Sequence, residues 1–123
     1  MGIGVSAALE SQMRAASEVV PAPVQLQAMI DTGATSTVIQ QGIASKLGLK
    51  PVGVAHITTP SSTGVPCFEY AVRYLLPNNV VVNGVVIEAP LEGQQIQALI
   101  GRDVLAHGVL VYIGYMGSYT LSF

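Results

Sequence analysis

Aspartate occurs only twice in these 123 residues, as Asp31 and Asp103. The first opens an Asp31-Thr32-Gly33 run that follows an apolar stretch, Leu26-Gln27-Ala28-Met29-Ile30. A strand that ends in an acid, a hydroxyl and a glycine places a carboxylate where strand becomes turn. Such a group can activate water as a base or protonate a carbonyl oxygen as an acid, but one carboxylate cannot do both at once. Two carboxylates sharing one proton can, because like charges ~3 Å apart cannot both ionise. The run occurs once, so the source of the second carboxylate decides the function. Two copies of the chain related by a two-fold axis would supply it.

The elements that must position Asp31 are short and mostly extended. The apolar, small-residue run from Gly2 to Leu9 predicts a strand, and Glu10 to Ala16 a short helix with Leu9, Met13 and Ala16 on one side. Pro21-Ala22-Pro23 breaks the chain. A strand is expected over 24–30, a helix over 40–47 and a strand over 52–59. Pro60-Ser61-Ser62-Thr63-Gly64 is small and polar, and predicts a hairpin tip. A strand over 68–76 and a turn at Pro77-Asn78-Asn79 follow. The β-branched run 80–89 is interrupted by Asn83-Gly84, a two-residue hairpin signal. Short strands are expected at 97–100, 109–113 and 118–123, with a helical turn over 101–106. Glu88, on a predicted strand, is expected to face solvent.

Composition narrows the function classes. The length suits one domain with a single core. Half the residues are hydrophobic and only 10% are charged, low for a surface that meets only water. Such a chain hides apolar surface against another chain or belongs to a longer protein. The net charge is −2, and the five Lys and Arg residues do not cluster, so no nucleic-acid partner is expected. No apolar run approaches the ~20 residues of a membrane helix, and no membrane partner is expected. The single cysteine, Cys67, cannot form an intrachain disulfide, which fits the cytoplasm or another reducing compartment. The spacing of Cys67, His56 and His107 matches no zinc pattern, so neither metal nor cofactor is expected. Tyr112, Tyr115 and Tyr119 are expected to pack an interface.

Three segments together resemble the retropepsin-like, or retroviral-type, aspartic proteases, in a cellular or bacterial rather than necessarily viral form. They are Ala28-Met29-Ile30-Asp31-Thr32-Gly33-Ala34-Thr35 with Val38-Ile39, the polar hairpin tip from Thr58 to Gly64 where the family keeps its flap, and Ala98-Leu99-Ile100-Gly101-Arg102-Asp103-Val104-Leu105. Their order and spacing match the family over residues 24–123. The resemblance implies a mostly β fold, a closed retropepsin-like barrel with one or two short helices and one lobe per chain. Residues 1–23 are read as an N-terminal strand and short helix, a candidate dimer-interface segment; residues 24–123 form the protease domain.

By the same resemblance, Asp31, Thr32 and Gly33 form the catalytic run, with Thr32 bracing the paired loops across the dimer. Ala34, Thr35, Thr58, Thr59, Pro60, Ser61, Ser62, Thr63 and Gly64 are expected to meet substrate. Leu99, Ile100, Gly101, Arg102 and Asp103 are expected to support the site. Ala34 stands where pepsin-like relatives carry serine, which implies a milder pH optimum. Retroviral members carry an aspartate that pairs with the arginine equivalent to Arg102; here that position is Thr35. Arg102 must therefore find Asp103, a backbone carbonyl or a carboxylate of a second subunit, or remain less constrained. The implied activity is a homodimeric aspartic endopeptidase acting on an extended peptide or polyprotein. The alternative is a retropepsin-fold dimerisation or peptide-binding module with little or no proteolysis. In either case the terminal strand 118–123 is expected to interleave with the partner's, and residues 2–9 to join it.

Overall fold

The computed structural model describes residues 1–59, 62–91 and 95–123. In chain order the elements are β1 (Gly2–Val5), α1 (Ala7–Ala15), β2 (Val24–Gln25), β3 (Ala28–Ile30), β4 (Val38–Gln40), α2 (Ile43–Lys46), β5 (Gly53–Thr59), β6 (Ser62–Leu76), β7 (Val80–Ala89), β8 (Ala98–Ile100), α3 (Arg102–Leu105), β9 (Val109–Ile113) and β10 (Ser118–Ser122). The mostly β, retropepsin-like architecture read from the sequence is the fold of the chain. There are three short α-helices among the described residues rather than one or two. None is long and apolar enough to cross a membrane.

Strand β6 is the spine. One of its edges pairs with β5 through Ser62–Glu69 and then with β1 through Val72–Leu75. The other edge pairs with β7 from Glu69 to Leu76. The sheet continues from β7 through β4 and β8 to β3, with β2 beyond β1 at the far end. It curls as a half-barrel around Ile3, Val5, Ile39, Leu47, Val72, Tyr74, Val86 and Val104, all nearly or wholly inaccessible. Burying each such aliphatic side chain contributes about 1.5–3 kcal/mol. A second cluster, Cys67, Ile87 and Ala89 with Val38, Ala55, Ile57 and Val65, ties the β5–β6 hairpin to β7 and β4.

Four local expectations are corrected. The predicted strand from Gly2 to Leu9 ends at Val5, because the Ser6 hydroxyl accepts the Leu9 N–H (3.2 Å) and caps α1. The predicted helix over 40–47 shrinks to Ile43–Lys46, because the Gln40 N–H is bonded to the Gln97 carbonyl (2.9 Å) and stays extended. The predicted strand over 24–30 is two strands, β2 and β3, separated at Leu26 and Gln27. Asn83-Gly84 is not a hairpin: both residues lie inside an unbroken β7, opposite Arg73 and Val72. Glycine is needed there because the Tyr74 ring crosses it, and a Cβ would meet Tyr74 Cε2 at 2.8 Å. The reversal falls instead at Pro77–Asn79, a 3-10 turn in which Asn78 and Asn79 have positive φ.

Strand β1 has neighbours on both edges, β2 and β6. On the β2 side the pairing covers only Gly2 and Ile3, and β1 is buried throughout. Strands β9 and β10 form a two-stranded sheet of their own, with Tyr119 opposite Tyr112 and Leu121 opposite Leu110.

Candidate active site

Strand β8 carries a strand on each side. Strand β3 runs parallel to it and β4 antiparallel. The chain from 31 to 37 must cross the end of β8 to pass from one to the other. Asp31 leaves β3 with its N–H on the Ile100 carbonyl (2.9 Å), and its Oδ1 accepts the Gly33 N–H (3.0 Å). The Ala34 N–H closes the turn on the Asp31 carbonyl (3.1 Å). The carboxylate is thus held by its own loop, in which Thr32, Gly33 and Thr35 are exposed.

Gly101 lies directly beneath this loop. A Cβ there would sit 2.5 Å from the Ser36 carbonyl carbon and 2.6 Å from its oxygen, both backbone atoms that cannot step aside. The absent side chain lets α3 start against the loop and clamp it. The Arg102 N–H donates to the Ala34 carbonyl (2.9 Å) and the Asp103 N–H to the Thr35 carbonyl (3.3 Å). The Arg102 guanidinium donates from Nη1 to the Thr32 carbonyl (2.9 Å) and from Nη2 to the Thr35 hydroxyl (3.0 Å). Of the partners open to Arg102 from sequence, a backbone carbonyl is the one found, joined by the hydroxyl of the residue that stands where retroviral members carry aspartate.

Asp103 does different work. Its Oδ2 accepts the Thr37 N–H (3.0 Å), and its Oδ1 accepts the Thr37 hydroxyl (2.7 Å) and the Val104 N–H (2.8 Å). The Thr37 hydroxyl in turn accepts the Gly101 N–H (3.0 Å), and the Thr37 carbonyl accepts the Ile87 N–H (3.1 Å). Thr37 is the one fully buried polar residue among those described, and its every polar group is partnered, as burial demands. The sequence reading passed over it. The signal that could have found it is the scarcity of aspartate, since an acid beside an apolar helix start needs a donor.

Ile100 is buried and Leu99 half-buried behind the loop, as expected of supports. The flap expectation falls on the β5–β6 hairpin, which pairs out to Thr59 opposite Ser62, with a register shift between Ile57 and Thr59. Thr58, Thr63 and Gly64 are exposed. Pro60 and Ser61 lie outside the described residues. Among the described residues no hydrogen bond joins this hairpin to the Asp31 loop. Val38, just after the loop, packs against the same Cys67, Ile87 and Ala89 cluster as Ala55, Ile57 and Val65 of the hairpin. Burial pushes the Cys67 thiol above its ordinary value. Glu88, expected to face solvent, is half-buried and accepts the Ala44 N–H (3.0 Å) at the start of α2.

An open groove of about 820 Å³ runs beside the loop. Gln27, Ala28, Met29, Ile30 and Thr32 line one wall, and Leu110, Tyr112 and Tyr119 of the C-terminal hairpin line the other. It reaches Thr32, but Asp31 is not among its lining residues.

A family model described as aspartyl protease matches residues 20–104, and the chain belongs to that family. Comparison with curated proteins finds no match. The fold is thus that of the aspartyl protease family, with a retropepsin-like half-barrel.

Proposed function

We propose that the chain is a homodimeric aspartic endopeptidase in which each subunit supplies one Asp31. The observation that carries this is the separation of the two aspartates. Asp103 is fully committed to Thr37 and Val104, while the Asp31 side chain makes one internal bond, to Gly33. One chain therefore offers one uncommitted aspartate at the turn. A second copy about a two-fold axis completes the pair.

In the pair, one carboxylate is ionised and the other carries the shared proton. The ionised one takes a proton from water as the oxygen attacks the scissile carbonyl carbon. The protonated one donates to the carbonyl oxygen. The tetrahedral adduct then collapses, the amide nitrogen takes a proton, and the C–N bond breaks. Gly33 leaves the backbone open to substrate beside the carboxylate, and Ala34 and Thr35 line the approach. The β5–β6 hairpin, from Thr58 through Gly64, would lie over an extended peptide and pair with it as an added strand. Ala34, in place of a hydroxyl residue, suits a mildly acidic rather than strongly acidic optimum.

The C-terminal hairpin supports the dimer. Residues 108–123 contain no charged side chain, yet Val109, Tyr112 and Tyr119 are each more than 60% exposed. Exposed strand edges are normally protected by charge or cover, and a two-stranded ribbon is marginal alone. Pairing with the same hairpin of a second copy would cover it and bring the two Asp31 turns together. The test is cleavage of a mixed peptide library between pH 3 and 7, with sedimentation of the same samples. Cleavage by a dimer, abolished in a dimeric Asp31→Asn variant, is expected. A folded dimer that binds peptides without cutting them would make the chain a binding module instead.

A further inference from the structure

Arg102 holds the Asp31 loop with only part of its capacity. A guanidinium carries five N–H donors, and two of them are used, on the Thr32 carbonyl and the Thr35 hydroxyl. Both acceptors are neutral, and among the described residues no carboxylate forms an ion pair with this guanidinium. Asp103, next in the chain, turns its carboxylate to Thr37. The ion pairs among the described residues all lie elsewhere, at Glu10. From Thr32 to Thr37 the loop carries no charge at all, and Arg102 is exposed.

The position of this charge matters. Its Nη1 is 2.9 Å from the carbonyl of the residue after Asp31. With Cα atoms 3.8 Å apart, that places the guanidinium no more than about 9 Å from the Asp31 Cα. An extended peptide advances ~3.3 Å per residue, so three residues of substrate span the distance. A carboxylate is the group that fits the unused edge of a guanidinium, by two parallel charge-assisted bonds.

We propose that Arg102 forms a subsite for an acidic side chain of the peptide substrate, within three residues of the scissile bond. This rests on the reading of the chain as a dimeric endopeptidase, and deepens it by naming the class of peptide. Because each subunit brings its own Arg102, the preference operates on both sides of the cut. Thr35 is the determinant that leaves Arg102 available, since a carboxylate at that position would take the charge for itself.

The experiment uses the dimeric protein and one cleavable peptide found in the library, remade with Asp or its isostere Asn at each of the three positions on either side of the bond. At one or more positions the Asp peptide is expected to be cut roughly twofold to fivefold better in kcat/KM, carried by KM, the range an exposed charge-assisted contact supports. The ratio should shrink as salt rises from about 0.05 to 0.5 M. Thr35→Asp should bring the ratio close to one, Thr35→Ser should keep it, and Arg102→Gln, a second route that does not add a charge, should also lose it. Circular dichroism confirms that each variant is folded.

Asp31-dependent cleavage with no acidic preference at any position would overturn the subsite and leave the endopeptidase intact; a carboxylate of the partner subunit occupying Arg102 would give this result. A preference that survives both Thr35→Asp and Arg102→Gln would also overturn it. If no peptide is cut, the endopeptidase reading fails, and the subsite is decided by fluorescence polarisation of a library peptide that binds, remade with Asp or Asn at each position in turn. Tighter binding of the Asp peptide, lost in Thr35→Asp, sustains it; equal binding overturns it.

Discussion

The Asp31 loop and the C-terminal hairpin face each other across one groove, and they are held in opposite ways. The loop is clamped by the start of α3 at the Thr32, Ala34 and Thr35 carbonyls and at Thr37. Arg102 and Asp103 take its carbonyls, Asp103 and Gly101 take both ends of the Thr37 hydroxyl, and Gly101 lies too close to the Ser36 backbone to carry a side chain. The hairpin is held by its own ladder, carries no charge, and exposes Val109, Val111, Tyr112 and Tyr119. A region that must aim a carboxylate is finished within the chain, because a small misplacement of a catalytic group is costly. A region left apolar and open is finished by something else, and on the proposed function that is a second copy.

The contrast can be broken at either end. The largest effect is expected from Asp31→Asn, which should lower peptide cleavage by roughly 10³-fold or more while leaving the fold and the dimer in place. Among the described residues its only side-chain bond is to Gly33, so thermal melting should move little. Next comes the hairpin. Glutamate at both Val111 and Tyr112 should produce a monomer in sedimentation, with cleavage lost in proportion. Those side chains are 50% and 71% exposed in the single chain, so monomer stability should change by no more than ~0.5 kcal/mol per site. A variant that loses stability but stays dimeric would reverse the contrast.

Thr37→Val sharpens the other side. It removes the hydroxyl that donates to Asp103 and accepts from Gly101, leaving two groups short of a partner. The expected cost is about 1–3 kcal/mol in urea unfolding, together with a fall in kcat from a loosened loop. The smallest effect belongs to Glu10, outside both regions. The Arg14 guanidinium beside Glu10 holds its carboxyl below the ordinary 4.5, burial opposing and Arg73 adding. A carboxyl whose folded value is lowered stabilises above its unfolded value and loses that contribution as pH falls through the folded one. The stability gap between wild type and Glu10→Gln should therefore be present at pH 7, shrink as pH falls below the ordinary 4.5, and narrow in high salt.

Much of this was legible in the sequence, for reasons that differ by residue. Asp31-Thr32-Gly33 and Ile100-Gly101-Arg102 could be read because loop chemistry there demands particular residue types at fixed places. The partition of Gly2–Leu9 was misread because small apolar residues suit strand and helix alike, and the deciding signal was the single hydroxyl of Ser6 capping α1. Asn83-Gly84 was misread because a glycine that signals a turn also serves where a ring must cross a strand, and Tyr74 lies eleven residues before Val85, whose carbonyl accepts its hydroxyl. Thr37 was invisible because its role depends on Asp103, 66 positions away. The partner of Arg102 could be narrowed to a short set from sequence, and only the fold chose among them.

The most direct measurement of the shared site is a subunit-mixing experiment. Wild type and Asp31→Asn are unfolded together, refolded in equal amounts so that dimers form at random, and assayed at fixed total concentration. If each active centre needs an Asp31 from both subunits, activity falls to roughly a quarter of the wild-type value, and continues to follow the square of the wild-type fraction as the ratio is varied. If activity falls only to about half and follows that fraction linearly, each chain acts alone and the shared-carboxylate account is wrong.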